Sequence, residues 1–316
     1  MKNLKDKMMR LIYKNTIPKQ DDIIPVFLLC VFRDESLLME SFIKHYKMLG
    51  VTHFIMIDNL SIDDGSNYLR QLKDVNVFLY RANGSYKDAM FGVEWINTCL
   101  KRHCTGQYCF AVDMDELFVF NARKYSSLYD LIKEMETTGS NCVGATLLDM
   151  YPKVLNNNYQ QGESLIKHSP YFDDWNTSYY KTKSLLYDTF LWRVGGMRSR
   201  IMGVNPIIHK FPFFKYDFDP LAFNTGYHFF QYNGNVVVKA KRIKVLKTPV
   251  VLLHFKYVKH DLLDVFRKRI VNNQDWNNSS EYKLYVNALE KENMISFHDD
   301  HYSKKLNSVD DLSKFF

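Results

Sequence analysis

The strongest constraint on how this chain folds is the alternation of two hydrophobic periods between residues 23 and 151. "IIPVFLLCVF" (23–32) is a continuous apolar run suited to a strand covered on both faces. "ESLLMESFIKHYKMLG" (35–50) then spaces apolar residues three and four apart and stops at a glycine, as helices do. The pattern recurs. "VTHFIMID", "VNVFLY", "YCFAVD" and "CVGATLLDMY" read as strands, and "DDGSNYLRQLKD", "YKDAMFGVEWINTCLKR" and "SLYDLIKEME" as helices, the last opened by a Ser127/Asp130 capping-box pair. Strands separated by helices imply an α/β fold, a mostly parallel sheet flanked by helices.

The flanks read differently. "MKNLKDKMMRLIYKN" puts Leu4, Met8, Leu11 and Ile12 on one helical face and Lys2, Lys5, Lys7, Arg10 and Lys14 around the rest. That is a basic amphipathic arm over residues 1–21, which either lies on an anionic membrane surface or docks on its own domain. Residues 22–258 form the main domain, and "LLDVFRKRIVNN" and "SSEYKLYVNALEKE" make 259–316 a helical C-terminal extension. The stretch from Pro152 to Tyr187 is polar, aromatic and irregular, and reads as a substrate-binding loop. Short strands are expected at "NVVVKA" and "VVLLHFKYV".

With 316 residues and 46% hydrophobic content, the chain has material for a full core. Its net charge of +7 is a mild excess that leaves phosphate groups or an acidic lipid surface as partners and gives no signature of nucleic-acid binding. Five cysteines with no C-x-x-C pair read as reduced, buried thiols. No run is long enough to span a membrane and no signal-peptide pattern is present, so a cytoplasmic location is expected, with attachment to the inner face of the cell membrane as a further expectation.

In an open parallel sheet, ligands bind at the carboxyl ends of the strands. Those ends carry "RDE" (Arg33, Asp34, Glu35), "DNLSIDD" (58–64), Arg81 and "DMDE" (113–116). The last is the costliest arrangement, three carboxylates between apolar runs, and it demands a cation. On strand alternation Asp113 and Asp115 share one face, where paired hard oxygens suit Mg²⁺ or Mn²⁺ carrying a diphosphate.

"CVFRDESLLMESFIKHYKMLGVTHFIMIDNLSIDDGSNYL" followed by "FAVDMDELFVF" resembles the glycosyltransferase family 2-like group, with weaker echoes in "RVGGMRSRIMG", "GYHFF" and "LLHFKY". The resemblance implies a GT-A fold, Rossmann-like, and metal-dependent transfer of a sugar from a nucleotide-diphosphate sugar to a hydroxyl of a glycan or lipid-linked acceptor. An inverting reaction in surface polysaccharide or lipooligosaccharide synthesis is the expectation. Carried over by residue, Asp58 looks like the acid on the nucleotide, Lys87 like the basic residue near the donor, and Asp113 and Asp115 like the D-x-D pair around the metal. Asn59 stands where a second acid is common and Asp34 where asparagine is usual, which leaves the nucleobase open. The resemblance makes His254 a metal ligand, with His228 as the competing choice; His45 reads as a packing residue. Arg33 at its strand end joins the donor-binding set. Arg198 and Arg200, beside paired glycines, read as a flexible basic loop closing over phosphates. A catalytic base is sought among Asp173, Asp174, Asp188 and Asp149, with Asp173 or Asp174 preferred because Tyr171, Phe172 and Trp175 beside them offer sugar-stacking rings.

Two rival classes remain. A sugar nucleotidyltransferase also uses acidic metal ligands on a parallel sheet, but it calls for a glycine-rich phosphate loop after the first strand, and "CVFRDESLL" has no glycine. The other is a non-catalytic carbohydrate-binding protein on the same scaffold, against which the intact acidic pair stands.

Overall fold

The structure is a computed structural model that describes residues 9–18, 23–155, 158–183, 191–217, 222–223, 226, 228, 230–232, 235–236, 243–259, 261–272, 276–291 and 295–316. In chain order the elements are β1 (Met9–Asn15), β2 (Val26–Phe32), α1 (Ser36–Met48), β3 (His53–Asp58), α2 (Gly65–Gln71), β4 (Asn76–Ala82), α3 (Val93–His103), β5 (Gln107–Ala111), β6 (Glu116–Val119), α4 (Leu128–Thr138) and β7 (Cys142–Asp149). Then follow α5 (Leu165–His168), β8 (Tyr171–Asp173), α6 (Trp175–Ser178), β9 (Tyr179–Lys183), β10 (Leu191–Gly195), α7 (Met197–Met202), β11 (His209–Tyr216), β12 (Ala222–Phe223), β13 (Phe230–Tyr232) and β14 (Asn235–Val236). β15 (Val250–His254), α8 (Leu262–Val271), α9 (Trp276–Lys291) and β16 (Ser303–Lys305) complete the series, followed by a 3₁₀ turn at Val309–Leu312. The chain divides into two compact units: Met1–Met114 with Ser127–Val143 and Phe211–Leu246, and Asp115–Ser126 with Gly144–Lys210 and Lys247–Phe316.

In the first unit the strand order is β1-β4-β3-β2-β5-β11. The four inner strands are parallel, whereas β1 and β11 run antiparallel to their neighbours. This is the mostly parallel α/β sheet expected from the alternation of periods. Leu28, Leu29 and Cys30 of β2 have no exposure, as strands covered on both faces require. α1 turns Leu38, Met39, Phe42, Ile43 and Tyr46 inward, and the Tyr46 ring meets Phe110 at 5.2 Å, which in turn meets Phe213 of β11 at 4.6 Å. The Ser127/Asp130 capping box opens α4 as read from the sequence.

Two local expectations in this unit are corrected. Met9–Asn15 is a strand, not an amphipathic helix: β1 pairs with β4 from Met9↔Ala82 to Asn15↔Val77, with a shift in register after Leu11. Pairing along the edge of β4 stabilises these residues, whereas a short isolated helix is marginal because its nucleation is costly; Leu4 and Met8 lie outside the described residues. The helix read from Tyr86 begins only at Val93, because Met90, Phe91 and Gly92 have φ of 51°, 56° and 80°. Left-handed backbone cannot continue a right-handed helix. At Gly92 a Cβ would lie 2.9 Å from Tyr86 and 3.1 Å from Val31, so glycine is required there.

In the second unit β7 and β15 pair in parallel and β15 and β6 antiparallel. Its core gathers Tyr151, Met197, Met202, Tyr257, Phe266, Tyr285 and Phe297, with α8 meeting α9 through Phe266 and Tyr282 at 5.3 Å. The stretch from Pro152 is not an idle loop as far as Lys183: it holds α5, β8, α6 and β9, and β8 is ordered by pairing with β16. Residues 184–187 lie outside the described residues, as do 237–240 of "NVVVKA". No helix among the described residues is long and apolar enough to cross a membrane.

Candidate active site

In the first unit, β3 delivers Asp58 to its carboxyl end with no exposure. A buried carboxylate needs donors on both oxygens. Oδ1 accepts from the Ser61 backbone N–H at 2.7 Å, and Oδ2 accepts from Ser66 Oγ at 2.9 Å and Arg81 Nη2 at 2.5 Å. Asp58 and Arg81 are register partners on β3 and β4, so the pair follows from strand adjacency. Asn59, the departure from a second acid, spends its amide on Ala82 O (3.3 Å) and Gly84 O (3.1 Å), tying together the ends of two strands. The segments after β2 and β3 are joined as well, through Asp34 N–H to Ser61 Oγ and Ile62 N–H to Asp34 Oδ1. Arg33 is exposed, with Nε 3.7 Å from Asp34 Oδ2. Lys87 is exposed in the turn ahead of α3, and Asp113 is half-buried just past β5.

The chain crosses into the second unit between Met114 and Asp115. Here the strand-alternation reading of Asp113 and Asp115 is corrected: β5 ends at Ala111, β6 begins at Glu116, and the acids sit on the turn between them. Asp115 is positioned by β15, since its carbonyl accepts from Phe255 N–H at 2.8 Å and its Oδ2 lies 3.4 Å from His254 Nε2. The other imidazole nitrogen, Nδ1, donates to Asp149 Oδ1 at 2.7 Å, and His254 and Asp149 are register partners on β15 and β7. Asp149 Oδ2 in turn accepts from Arg198 Nε at 2.8 Å, and Arg198 Nη1 lies 3.3 Å from Glu281 Oε1. The result is a chain of alternating charge, Asp115–His254–Asp149–Arg198–Glu281.

Burial alone raises the pKa of Asp115, but His254, with Lys259 and Lys256 beyond it, outweighs that and holds the carboxyl well below the usual range. Burial opposes charge on His254 too, yet Asp115 and Asp149 raise it to about 9. Asp149 sits at about 2, because Arg198 and His254 overcome its desolvation.

Among the described residues no group of three or more His, Cys, Asp or Glu side chains could hold a metal ion. Asp115 and His254 nevertheless fit one as a two-donor set, a hard oxygen beside an imidazole whose far nitrogen is anchored on a carboxylate, the usual outer support of a metal-binding histidine. A divalent ion bound by few side chains takes its remaining ligands from water and phosphate oxygens.

Arg198 and Arg200 are corrected: they lie on α7, not on a flexible loop, and both guanidinium groups are committed to carboxylates. Arg198 is buried against Asp149, and Arg200 makes a two-point pair with Asp173 at 2.9 and 2.8 Å. Asp173 has no exposure and also accepts from Tyr151 OH at 2.5 Å, whereas Asp174 is half-buried with its N–H on Tyr302 O at 2.7 Å. Trp175 stacks on Tyr179 at 5.8 Å. Asp188 lies outside the described residues. His228 lies in the first unit and His45 within α1, beside Tyr46.

Asp149 is the residue whose role the sequence missed. Its place at the end of an apolar run was visible, but its partner on β15 depends on which strands are neighbours. Arg81 likewise showed at a strand end without revealing Asp58 as its counter-ion.

No protein-family model matches the chain, and no curated protein matches it. Among solved structures it is similar to the UTP-bound UGPase from Acinetobacter baumannii, at 11% identity and a TM-score of 0.30, over 43% of this chain and 60% of that one. It is also similar to the mannosyltransferase PcManGT from Pyrobaculum calidifontis in complex with GDP-Man and Mn²⁺ (14%, TM-score 0.40, 86% of this chain and 73% of that one). A third is the inositol-1-phosphate CTP transferase from T. maritima (10%, TM-score 0.33, 86% and 98%). The match therefore spans less than two thirds of the UGPase chain.

Proposed function

We propose that this protein is a glycosyltransferase that moves a sugar from a nucleotide-diphosphate donor to a hydroxyl of a glycan or lipid-linked acceptor, with inversion and with Mn²⁺ or Mg²⁺. The observation that carries the reading is the Asp115–His254–Asp149 relay, in which the second acid of the D-x-D sequence faces an imidazole anchored on a carboxylate. Asp58, its oxygens spent on Ser61, Ser66 and Arg81, would order the strand end at which the nucleotide is proposed to sit. Within the second unit Asp115 and His254 would hold the metal, whose chemistry when bound would be to stabilise negative charge on a departing diphosphate.

As a metal ligand His254 would have to be free of its Nε2 proton, while Asp149 would hold Nδ1–H and with it the ring orientation. The acceptor hydroxyl loses its proton to a carboxylate as its oxygen attacks the anomeric carbon. Of the two preferred acids Asp174 has exposed surface for this task, since both oxygens of Asp173 are occupied.

The test is incubation with a panel of nucleotide sugars and Mn²⁺, with and without added pyrophosphate. Release of free nucleotide diphosphate, lost on chelation, is expected; consumption of pyrophosphate would favour a nucleotidyltransferase, and silence with metal-independent glycan binding a carbohydrate-binding protein. Asp115→Ala should abolish metal-dependent donor binding in calorimetry, and unchanged donor affinity would reject the assignment.

A further inference from the structure

Arg10 of β1 and Arg81 of β4 are direct register partners across an antiparallel pair. Like charges placed opposite one another on one face of a sheet destabilise it unless something negative answers them. Arg81 has Asp58 on one side, and its Nε is buried with no hydrogen-bond partner. A third arginine arrives from α2: Arg70 is held by its own carbonyl, which accepts from Tyr13 OH at 3.0 Å, and by its guanidinium over the Tyr13 ring at 5.2 Å. Among the described residues no carboxylate pairs with Arg10 or Arg70.

These three arginines, with Leu11 and Ile12, line one cavity of about 610 Å³ that opens to solvent. Three guanidinium groups against one carboxylate leave two positive charges in excess. Guanidinium forks match the oxygens of a phosphate, and the second pKa of a phosphate monoester near 6 makes it close to doubly charged at neutral pH.

We infer that Arg10, Arg70 and Arg81 form a binding site for a phosphate monoester group at the β1–β4 edge of the first unit. The site shares Arg81 with the Asp58 pair of the proposed transfer reaction, in which Arg10 and Arg70 have no part. The group is carried either by a free small molecule or by a lipid headgroup.

Titration calorimetry with inorganic phosphate and co-sedimentation with phosphatidylcholine vesicles, with and without phosphatidic acid, at constant ionic strength, separate the two sources. The full chain should bind at least one probe, and the Arg10→Gln/Arg70→Gln chain should bind it at least about tenfold more weakly, since two charged hydrogen-bond donors are lost. Phosphate binding identifies a free ligand; vesicle binding without phosphate binding identifies the headgroup. Equal affinity in both chains, or no binding of either probe to the unaltered chain, overturns the inference. Should the double variant fail to fold, Arg10→Gln alone changes only an exposed strand position, and unchanged affinity there is equally decisive.

Discussion

Asp149 answers two cations at once, His254 Nδ1 and Arg198 Nε, from the end of an apolar strand. Replacing it by asparagine leaves Arg198, only 4% exposed, with a neutral amide at Nε and only the longer 3.3 Å contact to Glu281. Removing one partner of a buried ion pair costs about 3–5 kcal/mol, because the other charge stays desolvated. Asp149→Asn should therefore lower the urea midpoint by that equivalent with little change in slope. The same substitution removes the carboxylate that orients the imidazole, so Mn²⁺-dependent donor binding should weaken as well, measured by calorimetry on the folded variant. A loss of stability without any loss of binding would make the relay purely architectural.

At the scale of elements, β3 opens on His53, whose ring stacks on Phe27 at 4.3 Å and lies 2.8 Å from Thr52 Oγ1 and 3.1 Å from Asn76 Nδ2. Burial lowers its pKa from 6.5 to about 4. The unfolded chain takes up this proton below pH 6.5 and the folded chain only near pH 4, so stability falls as pH drops through that window and levels off beneath it. His53→Gln should flatten the decline of the thermal midpoint between pH 7 and 4, with the wild type as reference. The strands and helices of the first unit were readable because their hydrophobic periods are unambiguous and most were bounded by turn residues. β1 was not, because "MRLIYKN" satisfies a helical stripe and a half-covered strand equally, and only the free edge of β4 decides between them. β11, "HKFPFFKY", also escaped notice: Pro212 argues against a strand, and the buried Lys210 donates to Glu116 Oε1 at 2.5 Å, a pairing no local pattern shows. The candidate site was legible as a set of acids at strand ends. Their partners were not, since pairing Asp58 with Arg81 or Asp149 with His254 requires knowing strand neighbours and register.

Across the whole molecule, all five cysteines are free and buried. Desolvation pushes the thiols of Cys99, Cys109 and Cys142 above their ordinary pKa, which suppresses the reactive thiolate. A thiol reagent such as DTNB should find almost no reactive group in the native protein and five after unfolding in guanidinium; rapid reaction of even one native thiol would contradict this packing. The odd number seen in the sequence thus reflects core filling by small apolar side chains, not a redox framework. The strand at Met9–Asn15 bears on solubility too. By occupying the outer flank of β4 it leaves its own charged side, with Arg10 and Lys14, as the face a stray chain would meet. Charged side chains on an edge strand disfavour the add-on pairing through which open sheets polymerise, so a substitution of Arg10 and Lys14 by apolar residues should raise the tendency of the protein to aggregate, read by light scattering.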